Sequence, residues 1–379
     1  MMAQVRTRKR GKTFSYIFEA GKTPDGKRKV VEKGGFATKT EAYKAGVAAY
    51  NDYLHGNIGI TSEKITLREF MTAWLDNFVA MRVKPNSLQT YQSHFKNQIL
   101  PYLGEVKVQE LIPAMLDEWI RKLTQTGLSR GTLTNTHTLI YSALKYAVYP
   151  AQLIQSNPAA YIEIPKNAPK NIVKRTIITP EQFSTLLEKY PFDTPYYILL
   201  LLLYHTGARI GEILGLSWQD IDFTSKQINL HRQIIYISNR GYFFTTLKTE
   251  SSNRYIVVGD FLLGELKRWQ LQQTENEKLI GGSYVHIYRE SDGHIERRSK
   301  NLPAPDGEKV SLVCTRDNGQ MILKNNFSQI LKREGLNAHS FRHTHATRLI
   351  ELGAKPTGVA GRLGHSNVKI TQNLYTHNT

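Results

Sequence analysis

The C-terminal half of this chain carries six side chains whose types and order could act together on a phosphate group. They are Arg209, Lys248, His339, Arg342, His365 and Tyr375. Guanidinium groups donate two parallel hydrogen bonds to a phosphate, imidazole and ammonium groups transfer protons, and a phenol is a possible nucleophile. Each feature alone is weak, because H-x-x-R is a short pattern and a tyrosine near a C-terminus is usually a packing residue. They become informative only as an ordered set within one basic region.

Local sequence predicts how the first two of these side chains are presented. Arg209 follows Gly207, where an apolar helix is broken and restarts, so its side chain projects from a fixed backbone position. Lys248 falls in a turn between two strands, within the region 242–258 that is predicted to be β structure. Both positions favour a side chain that points out of a supported backbone.

A helix predicted around residue 340 places His339 and Arg342, three residues apart, on one face. The same helix carries His343 and His345, which makes a metal site the alternative interpretation. Arg342 beside them would repel a cation, so we expect these two histidines to pack or to support their neighbours. The sequence has no phosphate-binding glycine loop and no acidic cluster, and we therefore predict neither a metal ion nor another cofactor.

The charge of the chain points to a polyanionic partner. Lys and Arg number 50 against 32 Asp and Glu, which gives a formal net charge of +18. Such a field attracts nucleic acid, since Lys and Arg displace the counterions of the phosphate backbone. A merely basic protein and an anionic membrane surface are the alternatives, and we favour nucleic acid.

Cysteine content and hydropathy limit the cellular compartments in which the protein is expected. The single cysteine, Cys314, allows no intrachain disulfide and no cysteine zinc cluster, which fits a reducing cytoplasm. The basic N-terminus is followed by no apolar core of signal-peptide length. The longest apolar run, 196–204, is too short to span a membrane. We therefore expect a soluble cytoplasmic protein without a membrane segment.

Residues 1–60 are predicted to form a small β-β-β-α domain. The predicted elements are strands at 13–20, 27–33 and 34–37 and a helix from 38 to about 54, with a Thr-Pro-Asp-Gly turn at 23–26. Such a thin sheet has one free face, and a ribbon of two or three strands fits a DNA major groove. A basic, solvated sheet edge is the alternative.

The remaining chain divides into three predicted regions. Residues 64–155 carry four amphipathic patterns, which predict a compact four-helix domain. The predicted helices start at Thr66, Pro85, Pro113 and Ser129. The proline-containing, basic segment 156–175 is typical of an extended linker. Residues 176–379 mix helices with a β region, so the whole is a multidomain α+β chain whose last domain is mainly helical with a small antiparallel sheet.

The six side chains, in this order, resemble the signature of the tyrosine recombinases, the phage integrase family. That signature is an arginine box, a lysine in a β-turn, an H-x-x-R box, a later histidine and a terminal tyrosine, and the match runs from about 176 to 377. The helical region, including the ILPYLG stretch at 99–104, resembles the family's core-binding domain. The N-terminal unit resembles the arm-binding domain of integrases from temperate phages and conjugative transposons. The resemblance implies a site-specific recombinase that integrates and excises a mobile element.

The resemblance also implies how the phosphate is attacked and held. Tyr375 would attack the scissile phosphodiester and form a 3′-phosphotyrosyl link, which retains the bond energy so that religation needs no ATP. Arg209 and Arg342 would bind the non-bridging oxygens, as paired guanidinium forks do better than lysine. Glu212 would orient the residues of the site rather than contact DNA.

The resemblance assigns proton transfer and one further hydrogen bond to the phosphate to the other three side chains. His339 is the expected general base for the phenol, whose pKa is ordinarily near 10. Lys248 is the expected general acid for the leaving 5′-oxygen. His365 would add a hydrogen-bond donor to the same phosphate.

The resemblance implies double-stranded DNA as the partner, bound at core sites and at separate arm sites. It also implies a homotetramer on DNA and accessory excision or DNA-bending proteins. Two alternatives stay open, namely a type IB topoisomerase and a non-catalytic DNA-binding regulator. Only residues 376–379 follow the tyrosine, so either the chain is truncated or its subunits are linked in another way, for example through the segment near 281–306.

Overall fold

The computed structural model describes residues 5–22, 28–54, 64–170, 176–247 and 252–364 of the 379-residue chain. Backbone contacts divide the chain into two units, Met1–Asn171 and Ile172–Thr379. The turn predicted at 23–26 and the last residues of the predicted linker, 171–175, lie outside the described residues.

The first unit begins with a three-stranded antiparallel sheet and one helix. The elements are β1 (Arg6–Arg10), β2 (Thr13–Lys22), β3 (Arg28–Phe36) and α1 (Lys39–Leu54), with the strands in that order across the sheet. Helix α1 packs on one face, where Val5, Tyr16 and Phe18 form a small buried core. The β-β-β-α architecture is therefore confirmed.

The individual strands differ from the prediction in one respect. Residues 34–36 are the end of β3 rather than a separate strand, and the additional strand is β1. The Arg-Thr-Arg-Lys-Arg sequence of β1 has no apolar residue, so its pattern gave no strand signal. Backbone pairing with β2 forms the strand, from Arg6 opposite Ile17 to Arg10 opposite Thr13.

The helical region of the first unit forms four helical segments, each of which begins where the sequence predicted. Its elements are α2 (Leu67–Trp74) with a π-helical turn at Leu75–Val79, α3 (Pro85–His94) with a π-helical turn at Phe95–Ile99, the short α4 (Leu100–Leu103), α5 (Pro113–Gln125) and α6 (Arg130–Val148). Thr66 and Glu69 form a reciprocal capping box at the start of α2, and the Ser129 hydroxyl caps α6. The apolar stripes of these helices meet in one buried core.

Part of the segment predicted as a linker packs against this helical core. Ala159 and Ala168 are buried there. The Nε2 atom of His137, on α6, lies 3.0 Å from the carbonyl oxygen of Ala159. Residues of the segment 156–170 thus contribute to the helical domain itself.

The second unit is mainly helical, with three small sheets of two or three strands among the described residues. Its helices are α7 (Pro180–Lys189), α8 (Tyr197–Thr206), α9 (Ile210–Leu214), α10 (Asp260–Ile280), α11 (Lys324–Arg333), α12 (Ala338–Glu351) and α13 (Pro356–Leu363). Its strands are β4 (Ile221–Asp222), β5 (Gln227–Leu230), β6 (Arg232–Ile237), β7 (Gly241–Thr246), β8 (Arg254–Val257), β9 (Val285–Arg289), β10 (Ile295–Ser299) and β11 (Glu308–Lys309). They pair as β4-β5-β8, β6-β7 and β10-β9-β11, all antiparallel, as the predicted fold class requires.

Helix α8 is the centre of this unit. All six of its residues from Ile198 to Leu203 are buried, so neighbouring elements surround it. Helices α10 and α12 both pack against it. In the part of the chain that the structure describes, no helix combines the length and the apolar character that a membrane span requires.

Candidate active site

The break between α8 and α9 fixes the backbone of Arg209. Helix α8 ends at Gly207, whose φ of 62° is the left-handed conformation that glycine adopts without strain. A Cβ atom at this position would lie 2.8 Å from side-chain atoms of His345 and Leu363, so α12 and α13 pack directly against the turn. Arg209 is the N-cap residue of α9, and its side chain is 35 % exposed. It therefore projects from a turn that two other helices hold in place.

Glu212, one turn into α9, is 1 % exposed and orients Arg209. Its carboxylate accepts hydrogen bonds from the backbone N (3.0 Å) and Nη1 (2.8 Å) of Arg209 and from Nη2 of Arg254 (2.8 Å). Burial raises the pKa of Glu212, but the bonds and charges of Arg254 and the bonds of Arg209 outweigh burial, and the pKa lies below its ordinary value. The carboxylate thus stays ionised at neutral pH.

Arg342, on α12, is buried and is held by two backbone carbonyls. Its Nη1 donates to the oxygen of Gly207 at 3.0 Å, and its Nη2 donates to the oxygen of Leu363 at 2.6 Å. Burial and the nearby charge of Arg209 lower the pKa of Arg342 to about 9, which leaves the guanidinium protonated at neutral pH. A guanidinium has five N–H donors, so these two bonds orient the fork without requiring all of it.

His339 lies in the first turn of the same helix, where the side chain of Asn337 caps the backbone N–H groups of His339 and Ser340. Partial burial of the ring, followed by the charges of Arg342 and Arg209, lowers the pKa of His339 below its ordinary value. Arg342 binds the oxygen of Gly207, two residues before Arg209, and His339 lies on the same helix as Arg342, so the structure brings together three of the six predicted side chains. His339 is therefore neutral at pH 7 and can accept a proton.

The other three predicted residues, Lys248, His365 and Tyr375, lie outside the described residues. Lys248 belongs to the segment 248–251, which lies between Leu247, the residue after β7, and Ser252, just before β8. The segment that contains His365 and Tyr375 begins directly after Gly364, the C-cap residue of α13.

Three residues that the sequence did not single out, or assigned only to packing, support this site. Arg254 is 8 % exposed at the start of β8 and donates to Glu212. Arg362, on α13, donates from Nε to Nε2 of His345 at 3.0 Å, and the Nδ1 of His345 lies 3.0 Å from the oxygen of Tyr204. Burial and the charge of Arg362 lower the pKa of His345 to about 4, so this imidazole is neutral and joins α8, α12 and α13.

The charges of the site favour an anion. Arg209 and Arg254 both form ion pairs with the carboxylate of Glu212, and Arg342 lies within electrostatic range of these groups, so among the described residues the local charge is positive. Within the described ranges, no three His, Cys, Asp or Glu side chains are placed to hold a metal ion. The arrangement can bind a phosphate group beside an imidazole that accepts protons.

Comparison with known families matches three successive regions of the chain. A phage integrase family model matches residues 177–379, which is more than half of the chain. A phage integrase N-terminal SAM-like domain matches residues 66–124, and an arm DNA-binding domain matches residues 4–46.

Among curated proteins, a tyrosine recombinase XerC-like protein of Caldanaerobacter subterraneus is 30% identical over 90% of this chain and 86% of its own length. The ICEBs1 integrase of Bacillus subtilis is 26% identical over 78% of this chain and 74% of its own length. The transposase from transposon Tn916 of Enterococcus faecalis is 25% identical over 88% of this chain and 79% of its own length.

Solved structures share the fold. An integrase of the Tn1549 transposon, in complex with transposon right end DNA, aligns with a TM-score of 0.64 at 21% identity, covering 83% of this chain and 96% of that chain. A lambda integrase dimer bound to a core site aligns with a TM-score of 0.53 at 15% identity, covering 98% of this chain and 94% of that chain. These likenesses concern the fold.

Proposed function

Because this chain belongs to the phage integrase family and is thus a tyrosine recombinase, we propose that it cleaves and rejoins double-stranded DNA through Tyr375. The observation that carries the proposal is the meeting of Arg209, Arg342 and His339 at the junction of α8, α9, α12 and α13. Two oriented guanidinium groups beside a neutral imidazole match the needs of phosphoryl transfer. The substrate would be a site-specific target at which a mobile element integrates or excises.

In the proposed step, the Oη atom of Tyr375 attacks the scissile phosphorus while the bond to the 5′-oxygen breaks. The product is a 3′-phosphotyrosyl bond and a free 5′-hydroxyl, and religation is the reverse reaction with another 5′-hydroxyl. Arg209 and Arg342 bind the non-bridging oxygens, where negative charge grows in the transition state. Removing one such oriented donor typically costs about 10²-fold or more in rate.

Protons move between named atoms in this scheme. The phenol proton passes to the imidazole of His339, which the low pKa keeps ready to accept it at neutral pH. Lys248 gives a proton to the leaving 5′-oxygen. His365 donates a hydrogen bond to the same phosphate.

We assign the domains by this function. Residues 1–60 bind arm-type DNA sites, 64–155 bind the core site, 156–175 link the two halves and 176–379 carry the chemistry. The arm domain offers Arg6 and Arg8 on the sheet face opposite α1, since residues alternate along a strand and directly paired residues share a face. The cytoplasm is the compartment in which such a reaction on DNA would take place.

Strand exchange requires more than one active site. A solved relative is a lambda integrase tetramer bound to a Holliday junction, with a TM-score of 0.54 at 15% identity. We propose that this chain likewise acts as a homotetramer on DNA, with accessory excision or DNA-bending proteins.

The test uses full-length protein and its target site, selected from a random-sequence library by binding. A nicked duplex lets the 5′ product diffuse away, so the covalent protein–DNA adduct accumulates. We expect an adduct with the native chain and none with Tyr375→Phe, at nearly equal DNA affinity, whereas Tyr284→Phe, a buried tyrosine of the same unit, should retain it. Adduct formation by Tyr375→Phe at the native rate would contradict the proposal.

A second assay separates the alternatives. Recombination between two duplexes that carry the selected site is expected of a recombinase. Relaxation of supercoiled DNA without exchange would favour a type IB topoisomerase. Binding without any adduct would favour a regulator.

A further inference from the structure

Arg254 binds three separate segments that lead to the proposed catalytic residues. It is the first residue of β8, and only 8 % of it is exposed. Its three nitrogens donate to three different acceptors, which are Oε2 of Glu212, the carbonyl oxygen of Ser252 and the carbonyl oxygen of Arg362. The distances are 2.8, 2.8 and 2.7 Å.

The first contact supports the phosphate-binding arginine. Nη2 of Arg254 and Nη1 of Arg209 bind the two oxygens of the same carboxylate, that of Glu212. Glu212 is 1 % exposed, so without Arg254 a buried charge would keep a single arginine partner. The direction of the Arg209 guanidinium therefore depends on Arg254.

The second contact lies next to the segment that contains Lys248. Nη1 of Arg254 donates to the oxygen of Ser252, the first described residue after 248–251. Ser252 is itself buried, at 1 % exposure. Ser252, which directly follows the Lys248 segment in the sequence, is thus fixed to the same guanidinium.

The third contact lies at the end of α13. Nε of Arg254 donates to the oxygen of Arg362, and Arg342 donates to the oxygen of the next residue, Leu363. The last carbonyls of a helix have no partner within the helix and carry partial negative charge, which two guanidinium groups offset here. His365 follows this helix end after one further residue, Gly364.

We propose that Arg254 is a positioning residue of the recombination reaction, which orients Arg209 through Glu212 and fixes Ser252, which follows the Lys248 segment, and the end of α13, which precedes His365. The inference rests on the proposed function. Lysine cannot replace it, because an ammonium group is a single point of charge and cannot meet three acceptors in the fork geometry of a guanidinium. Misplacement of catalytic groups by about 1 Å can cost 10²-fold in rate.

Arg232 provides a matched control within the same unit. Its side chain is also largely buried, at 17 % exposure, and it also binds three acceptors. These are the carbonyl of Gly215, the hydroxyl of Ser217 and the carboxylate of Asp220, none of which contacts the proposed catalytic residues among the described hydrogen bonds. Arg232→Lys thus reproduces the loss of a buried fork that makes no hydrogen bond to Glu212 or to the proposed catalytic residues among those described.

The experiment compares two leaving groups in the nicked-duplex adduct assay. One duplex has the natural 5′-oxygen at the scissile phosphate, and the other has a bridging 5′-sulfur. A thiolate leaves without a proton, because the pKa of a thiol is near 8.5, so the sulfur substrate does not need a general acid. Thermal unfolding of each variant is measured in parallel.

For Arg254→Lys we expect adduct formation on the oxygen substrate to fall by about tenfold to a hundredfold. The sulfur substrate should recover part of that loss but not all, because Arg254 supports both Arg209, through Glu212, and Ser252, the residue that follows the Lys248 segment. Arg232→Lys should lower the unfolding temperature to a similar extent and change neither rate. A rate equal to that of the native chain, or an equal loss on both substrates, would overturn the inference, whereas a native chain that forms no adduct would overturn the proposed function instead.

Discussion

At the scale of single residues, the two arginines of the site are held in different ways. Arg342 is fixed by two backbone carbonyls and is 6 % exposed, whereas Arg209 is held by a carboxylate and is 35 % exposed. Arg342 thus needs little reorganisation to bind a phosphate. Arg209 depends on Glu212 for its direction.

Protonation of His339 is expected to make the cleavage rate depend on pH. Its pKa lies below the ordinary histidine value of 6.5, so the ring stays neutral as the pH falls to that value and is protonated only at lower pH. We therefore expect the single-turnover cleavage rate to fall on the acid side with a midpoint below 6.5. His339→Gln should lower the rate by about 10²-fold or more and remove this acid limb.

His343 provides the control for that measurement, because its ring is 6.3 Å from that of His339 on the same helix. His343→Gln should keep the acid limb and its midpoint. A limb that persists unchanged in His339→Gln would show that another group is the base.

The sequence predicted Arg209, His339 and Arg342 but could not predict Arg254. The three were found because they match an ordered signature, and because His339 and Arg342 are only three residues apart. The acceptors of Arg254 at Glu212 and Arg362 lie 42 and 108 residues away. Only the folded chain brings them into contact, so no local pattern carries that information.

At the scale of elements, the turn at Gly207 joins the helices of the site. Its φ of 62° and its close contact with α12 and α13 leave no space for a side chain. Gly207→Ala should therefore lower the free energy of unfolding by about 1–3 kcal/mol and also reduce adduct formation, because the Gly207 oxygen orients Arg342.

A variant at Gly353 is the control that separates the effect of backbone strain from that of steric conflict. Its φ is 87°, but no atom lies within 4 Å of a Cβ atom built there. Gly353→Ala should cost about 1–2 kcal/mol from strain alone and leave cleavage unchanged. Equal effects of both variants on cleavage, measured beside chemical unfolding, would contradict the role of the Gly207 turn.

Helix starts were predictable where a local cap sets them. Thr66 and Ser129 cap their helices as the sequence indicated, since the hydroxyl bonds lie within three residues. Strand β1 was missed because pairing with β2, rather than its own basic sequence, makes it a strand.

At the scale of the whole molecule, the net charge of +18 indicates DNA affinity that depends on salt. Arg6 and Arg8 of β1 are exposed on the sheet face opposite α1. If both contact phosphates, changing them to Ala should reduce the salt slope of binding by roughly 2, as seen with full-length protein and a mixed-sequence duplex.

Lys9 is the matched control on the same strand, because it pairs with Phe14 on the face that α1 covers. Lys9→Ala removes one charge and should change the slope by less than half of what the double variant does. An unchanged slope after loss of Arg6 and Arg8 would remove this face from DNA binding.

The central claim is that Arg209 and Arg342 bind the charge of the phosphate that Tyr375 attacks. The most direct measurement replaces one non-bridging oxygen of that phosphate by a methyl group, which makes it neutral, and follows single-turnover cleavage. Arg209→Ala and Arg342→Ala should each lose about 10²-fold or more on the natural phosphodiester and much less on the neutral one. The same loss on both substrates would contradict the account.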